Sequence, residues 1–101
     1  MKEISIDQLA QALNETQIRL IDVREVDEFQ AGHVPGAELI PMGVIPARTM
    51  DLDRSESIAL ICRTGGRSGQ VTTWLESQGF NVANVVGGTE AWISSGRAVE
   101  R

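Results

Sequence analysis

The chain has 101 residues, 42% of them hydrophobic. That suits one compact domain over residues 1–101, burying roughly two-thirds of the surface its unfolded form exposes, and leaves no room for a second. An excess of 14 Asp and Glu over 9 Lys and Arg gives a formal charge of -5. Such a charge opposes sequence-independent attraction to nucleic-acid phosphates and to anionic membranes, so neither is an expected partner. A lone cysteine, Cys62, cannot form an internal disulfide and fits no multi-cysteine zinc pattern, which points to a reducing compartment and to neither metal nor cofactor. The first residues, Met1-Lys2-Glu3-Ile4-Ser5-Ile6-Asp7, place an acid early and show no uninterrupted apolar run, so a cytoplasmic protein is expected.

No internal repeat, low-complexity segment or Pro/Ser-rich linker divides the chain. Ser5 or Asp7 can cap a short helix through about Asn14, on which Leu9, Ala12 and Leu13 recur at helical spacing. Ile18 to Val23 reads as a short, largely buried strand. Glu25 to about Ala31 is a second helix stopped by Gly32, and Ala37 to Ile40 a second strand stopped by Pro41. From Met42 to Glu56 the pattern is the least regular, and Gly43 and Pro46 allow at most one irregular helical turn. Ser57 to Ile61 is the clearest strand and runs directly into Cys62. A helix from Arg67 or Ser68 to about Gln78 places Val71, Trp74 and Leu75 on one face and ends at Gly79. Asn81 to Val86 is a further strand, and Thr89 to about Ser95 a last helix ending at Gly96. Alternating strands and helices predict an α/β fold: a mostly parallel sheet covered on both faces, with ligands met beyond the carboxyl ends of the strands. Cys62 stands at such an end.

The segment Cys62-Arg63-Thr64-Gly65-Gly66-Arg67-Ser68 combines a strand end, a tight glycine loop and a helix start. Gly65 and Gly66 permit positive φ, so that successive amides can turn inward as an anion-binding nest around the cysteine sulfur. The following helix directs its positive end to the same point, and Arg63 and Arg67 add full charges. Together these influences are expected to lower the thiol pKa toward the ~3.5–7.5 range of activated cysteines. An inert core thiol would not call for two arginines and two glycines within five residues.

The loop resembles the Cys-Arg-x-Gly-x-Arg active-site loop of the rhodanese family. Ile21-Asp22-Val23-Arg24, with Glu28-Phe29 and Gly32-His33-Val34-Pro35-Gly36-Ala37, is similar to that family's N-terminal signature, and Gly87-Gly88-Thr89-Glu90-Ala91-Trp92 to its C-terminal one. The three motifs occur in the family's order and span nearly the whole chain. The resemblance implies a rhodanese-like three-layer fold and a thiosulfate sulfurtransferase. Cys62 would take sulfane sulfur from a small donor such as thiosulfate and pass it, as a persulfide, to cyanide or to a thiol, whether a small one or that of a thioredoxin-like protein. A thiolate attacking a sulfur that bears a good leaving group is the displacement of thiol–disulfide exchange, and a covalent intermediate divides it into two easier steps. The amides would stabilise the anionic persulfide while Arg63 and Arg67, with Thr64, Gly65 and Gly66, bind the donor.

Ser68 is a supporting residue of this site. Asp22 and Arg24 could shape the region, though a structural ion pair explains them as well. His33, the only histidine, sits before a Pro-Gly turn; a preformed thiolate needs no general base, which favours a hydrogen-bonding role. Trp74 and Trp92 are expected to face the sheet as core. A non-enzymatic module that senses sulfur or binds a partner remains the first alternative, although the cysteine and both loop arginines favour chemistry. The related cell-cycle phosphatases and arsenate reductases, cysteine enzymes that share this fold, resemble Cys-x5-Arg instead. Here only four residues separate Cys62 from Arg67, which suits sulfur better than a tetrahedral phosphate, and no acid is expected beside the loop to protonate a leaving group.

Overall fold

The structure, a computed structural model, describes residues 1–15 and 17–101. The chain runs β1 (Glu3–Ile4), α1 (Ile6–Asn14), β2 (Arg19–Asp22), α2 (Val26–Ala31), β3 (Glu38–Leu39), a 3-10 helix (Met42–Asp51), β4 (Ser57–Ile61), α3 (Gly66–Ser77), β5 (Asn81–Val85) and α4 (Gly88–Ser94). The strands form one sheet in the order β1-β5-β4-β2-β3. Every pairing is parallel, including Asp22 opposite Ile61 and Leu60 opposite Asn84.

Burial explains why the strands read as continuous apolar runs. In β4, Ser57 is exposed while Ile58, Ala59, Leu60 and Ile61 are all buried, as a parallel strand covered on both faces requires. Successive side chains point to opposite faces. Ile21, Ile58, Leu60 and Val82 pack with Val71 and Leu75 of α3 and with Ile45 and Leu52, whereas Leu20, Ala59, Ile61 and Val85 pack with Leu9 of α1 and Trp92 of α4. Each such aliphatic side chain contributes about 1.5–3 kcal/mol on full burial, so the two half-cores drive the three-layer arrangement. Among the described residues, no helix is long and apolar enough to cross a membrane.

Local signals act as their chemistry dictates. Ser5 caps α1 by accepting from the Gln8 amide while the Gln8 side chain accepts from the Ser5 amide, a reciprocal capping box. Gly32 ends α2. Two expectations need correction, and one strand was not expected. The irregular stretch after Pro41 holds a ten-residue 3-10 helix rather than a single turn, its Pro46 lying within it and its Ile45 buried. Trp74 is not core: it is 38% exposed, on the flank of the α3 face that buries Val71 and Leu75. With Met42, Ile45 and Pro46 it lines an apolar groove of about 160 Å3. The edge strand β1, two residues long, is too short to carry a periodic signal.

Candidate active site

Cys62 leaves the end of β4 between β2 and β5, at the centre of the sheet. The loop that follows closes on itself through Gly65, whose φ of 117° is open to glycine and strained for other residues. Gly66, expected to share that freedom, is instead the first residue of α3 and is not among the positive-φ glycines. The turn aims the Gly65 amide at Sγ of Cys62, donating at 3.1 Å, and the Ser68 hydroxyl lies 3.2 Å from the same sulfur. Cys62 is 1% exposed, and its burial by itself pushes the thiol pKa up. The Ser68 hydroxyl, then the amides of Ser68, Gly65 and Thr64, outweigh that burial and leave the pKa below the ordinary thiol value. The Ser68 hydroxyl and the amides of Ser68, Gly65 and Thr64 thus act together on the sulfur.

The arginines behave differently from one another. Arg67 donates both arms of its guanidinium to Glu28 of α2, at 2.7 and 2.8 Å, and lies close enough to Cys62 to be stabilised by a thiolate there. The fork holds the Glu28 carboxyl down at about 2, despite some opposing burial. Arg63 turns outward, its side chain 70% exposed, and meets Glu90 at 3.2 Å. Two acids thus stand beside the loop where the sequence led us to expect none. Glu28, ionised at any physiological pH, cannot serve as a proton donor.

Asp22 and Arg24 form a buried pair at the end of β2. The Asp22 carboxylate accepts from the Arg24 amide at 3.1 Å and from its guanidinium at 2.8–3.1 Å. Arg24 also donates to the Gly32 carbonyl at 2.8 Å, tying the strand end to the C-terminus of α2, the helix that carries Glu28. This is the structural pairing weighed at the outset. His33 lies outside the sulfur cradle: its ring stacks on Phe29 at 3.6 Å between centroids, Nδ1 is 2.8 Å from the Phe29 carbonyl, and Nε2 is 3.8 Å from the Glu100 carboxylate. Its main chain pairs with Glu100 in both directions at 2.9 Å.

Three contributors were given no role in the sequence reading: the Thr89–Glu90 pair, Gly88 and Asn84. Thr89 donates its amide and its hydroxyl to the Cys62 carbonyl at 2.9 and 3.1 Å, and the Glu90 amide donates to the Arg63 carbonyl at 3.0 Å. The start of α4 thus satisfies the carbonyls of Cys62 and Arg63. Gly88 makes this approach possible, since a Cβ there would lie 2.5 Å from both carbonyl oxygens. The third is Asn84 of β5, which accepts from Ser68 at 2.6 Å and donates to the Gly65 carbonyl at 3.2 Å. Its signal was a polar residue inside an otherwise apolar strand. A cleft of about 320 Å3 lined by Arg24, Glu28, Arg63, Thr89 and Glu90 opens beside the loop.

The Rhodanese-like domain model matches residues 5–95. The chain belongs to the rhodanese-like family. It is 42% identical over 93 residues to YtwF of Bacillus subtilis, an alignment covering 91% of this chain and 90% of that one. It is 33% identical over 92 residues to the thiosulfate sulfurtransferase GlpE of Pseudoalteromonas translucida, covering 90% and 88%. The crystal structure of a rhodanese-like domain protein from Staphylococcus aureus superposes with a TM-score of 0.86 at 38% identity, over 91% of each chain. The rhodanese-like fold expected from the three motifs is confirmed, and relatives of this length carry the name sulfurtransferase.

Proposed function

We propose that this rhodanese-like protein moves sulfane sulfur through a persulfide on Cys62, with thiosulfate as a competent donor and a thiol or cyanide as acceptor. The observation that carries the reading is the sulfur cradle: the Gly65 amide and the Ser68 hydroxyl converge on Sγ at 3.1 and 3.2 Å and favour the thiolate. In the first step the Cys62 thiolate attacks the outer sulfur of thiosulfate. The new Sγ–S bond forms as the S–S bond to the sulfonate breaks, and sulfite leaves with that electron pair. The negative charge then rests on the outer persulfide sulfur. In the second step cyanide attacks that sulfur, the persulfide bond breaks, thiocyanate departs and the thiolate returns; a thiolate acceptor yields its own persulfide by the same displacement. No proton moves in either step, so no general base is required of His33.

Arg67 and Arg63 are the cations available to the donor's sulfonate. Arg63 is the freer, since an exposed pair such as Arg63–Glu90 is worth only about 0–1 kcal/mol and is readily exchanged for a dianion. Arg67 must give up one or both contacts with Glu28 to take part. The four-residue spacing between Cys62 and Arg67 argues against a phosphatase, which needs a wider ring. The test is thiocyanate formation from thiosulfate and cyanide. Wild type should turn over and Cys62→Ser should not; equal rates for the two would overturn the reading.

A further inference from the structure

Beneath the cysteine lies a closed chain of polar groups. Ser68 is fully buried, Asn84 is 4% exposed and Cys62 1%. The Ser68 hydroxyl is 3.2 Å from Cys62 Sγ and 2.6 Å from Asn84 Oδ1, while Asn84 Nδ2 donates to the Gly65 carbonyl at 3.2 Å. The orientation of the Asn84 amide follows from its partners. Reversed, its oxygen would meet the Gly65 carbonyl oxygen at 3.2 Å, acceptor against acceptor, although that carbonyl would keep the Gly69 amide as a donor.

A serine hydroxyl carries one proton, and here two acceptors claim it. We propose that Asn84 is a positioning residue for Cys62, holding the Ser68 proton while the cysteine is a thiol or a persulfide and yielding it while the cysteine is a thiolate. In the thiol, the S–H donates to Ser68 Oγ, the hydroxyl to Asn84 and the amide to Gly65, so every donor in the chain is used. When the thiol loses its proton, Sγ becomes the stronger acceptor and the hydroxyl rotates to it. After sulfur transfer Sγ is an uncharged bridging atom and the charge sits one bond further out, so the hydroxyl returns to Asn84. Nothing but a rotation occurs, and no proton leaves the serine. Asn84 therefore opposes thiolate formation and Ser68 promotes it, and together they set how readily the sulfur is ionised at rest and how readily it gives up charge on attack.

The inference rests on Cys62 being the reacting sulfur, but its test needs no sulfur donor. The rate of iodoacetamide alkylation against pH reads the thiol titration alone. Charged groups on the neighbouring elements, the Asp22–Arg24 pair at the end of β2, Glu28 of α2, Arg67 of α3 and Glu90 of α4 with Arg63, stay in place in every variant. Asn84→Leu should lower the apparent thiol pKa by about one unit, the size expected for freeing one hydrogen bond to an anion, and Ser68→Ala should raise it. In the double variant the Asn84 effect should vanish, because Asn84 acts through the serine. An Asn84→Leu profile that fails to fall, or an equal fall in the Ser68→Ala background, would overturn the proposal. A second measurement, which leaves Asn84 itself unaltered, guards against an Asn84 variant that does not fold. The Asn84 side-chain amide resonances should shift with the Cys62 titration in wild type and lose most of that shift in Ser68→Ala; an undiminished shift there would also overturn it. If these linkages hold and no sulfur moves, the functional reading fails and this one stands.

Discussion

Arg67 and Glu28 face each other as two parallel forks, nitrogen to oxygen at 2.7 and 2.8 Å, across the junction of α2 and α3. The pair occupies the cation that a donor dianion would seek. Glu28→Gln should therefore release Arg67. The KM for thiosulfate is expected to fall roughly twofold to fivefold, in keeping with the ~0–1 kcal/mol of a partly exposed pair, with kcat little changed. Steady-state kinetics decide this, and an unchanged or higher KM would mean that Arg67 does not reach the donor.

The same pair should mark the acid limb of stability. The Glu28 carboxyl, ordinarily at 4.5, is held at about 2 in the folded chain. A folded pKa below the unfolded one contributes stability that is fully present above about 4.5 and is lost as pH falls toward 2. Glu28→Gln removes that contribution, so its thermal midpoint should lie below wild type near neutrality and approach it as the pH falls through this window. Both side chains retain access to water, at 38% and 28%, so the effect is expected to be small. Melting curves across the window check it; a constant gap between the two proteins would show that the pair is not the source.

Arg67→Ala and Arg67→Lys separate charge from geometry. Most of what favours the thiolate comes from the Ser68 hydroxyl and the loop amides, which remain in both variants. The alanine variant should therefore raise the alkylation pKa only partly. The lysine variant should alkylate nearly like wild type yet turn over poorly, because one point charge cannot grip two donor oxygens at once. Wild-type turnover in both variants would place Arg67 outside the site.

Gly88→Ala tests the clamp that α4 applies to the loop. The added methyl carbon would lie 2.5 Å from the Cys62 and Arg63 carbonyl oxygens, at a φ of 61° that side chains rarely adopt. Loss of at least about 2 kcal/mol in urea unfolding is expected, with a changed alkylation profile as the Cys62 carbonyl shifts. An unperturbed, equally stable variant would show that the loop does not depend on this contact.

The legible parts of the chain were those whose signal is local. Ile58 to Ile61 reads as a doubly covered strand because four apolar residues run into a glycine loop, and a cap at Ser5 or Asp7 was legible, with Ser5 the one the structure uses. The cradle around Cys62 was legible for the same reason, since its donors lie within six residues of the sulfur. What the sequence hid was pairing at a distance. Glu28 meets Arg67 across 39 positions and Asn84 meets Ser68 across 16, and the identity of such partners depends on how the elements pack. The 3-10 helix was hidden differently: its turns are tighter than the helical period being sought, and Pro46 looked like a breaker. Trp74 misled because its spacing from Val71 suits a buried stripe, whereas it borders the groove over that helix.

The persulfide itself is the central claim, and intact mass reads it without assuming any acceptor. Wild-type protein incubated with thiosulfate, freed of excess and kept from reductant should gain one sulfur, about 32 Da, and lose it on addition of cyanide. Cys62→Ser should gain nothing. A wild-type mass that stays unmodified under conditions of turnover, or an equal gain in the serine variant, would contradict a persulfide on Cys62.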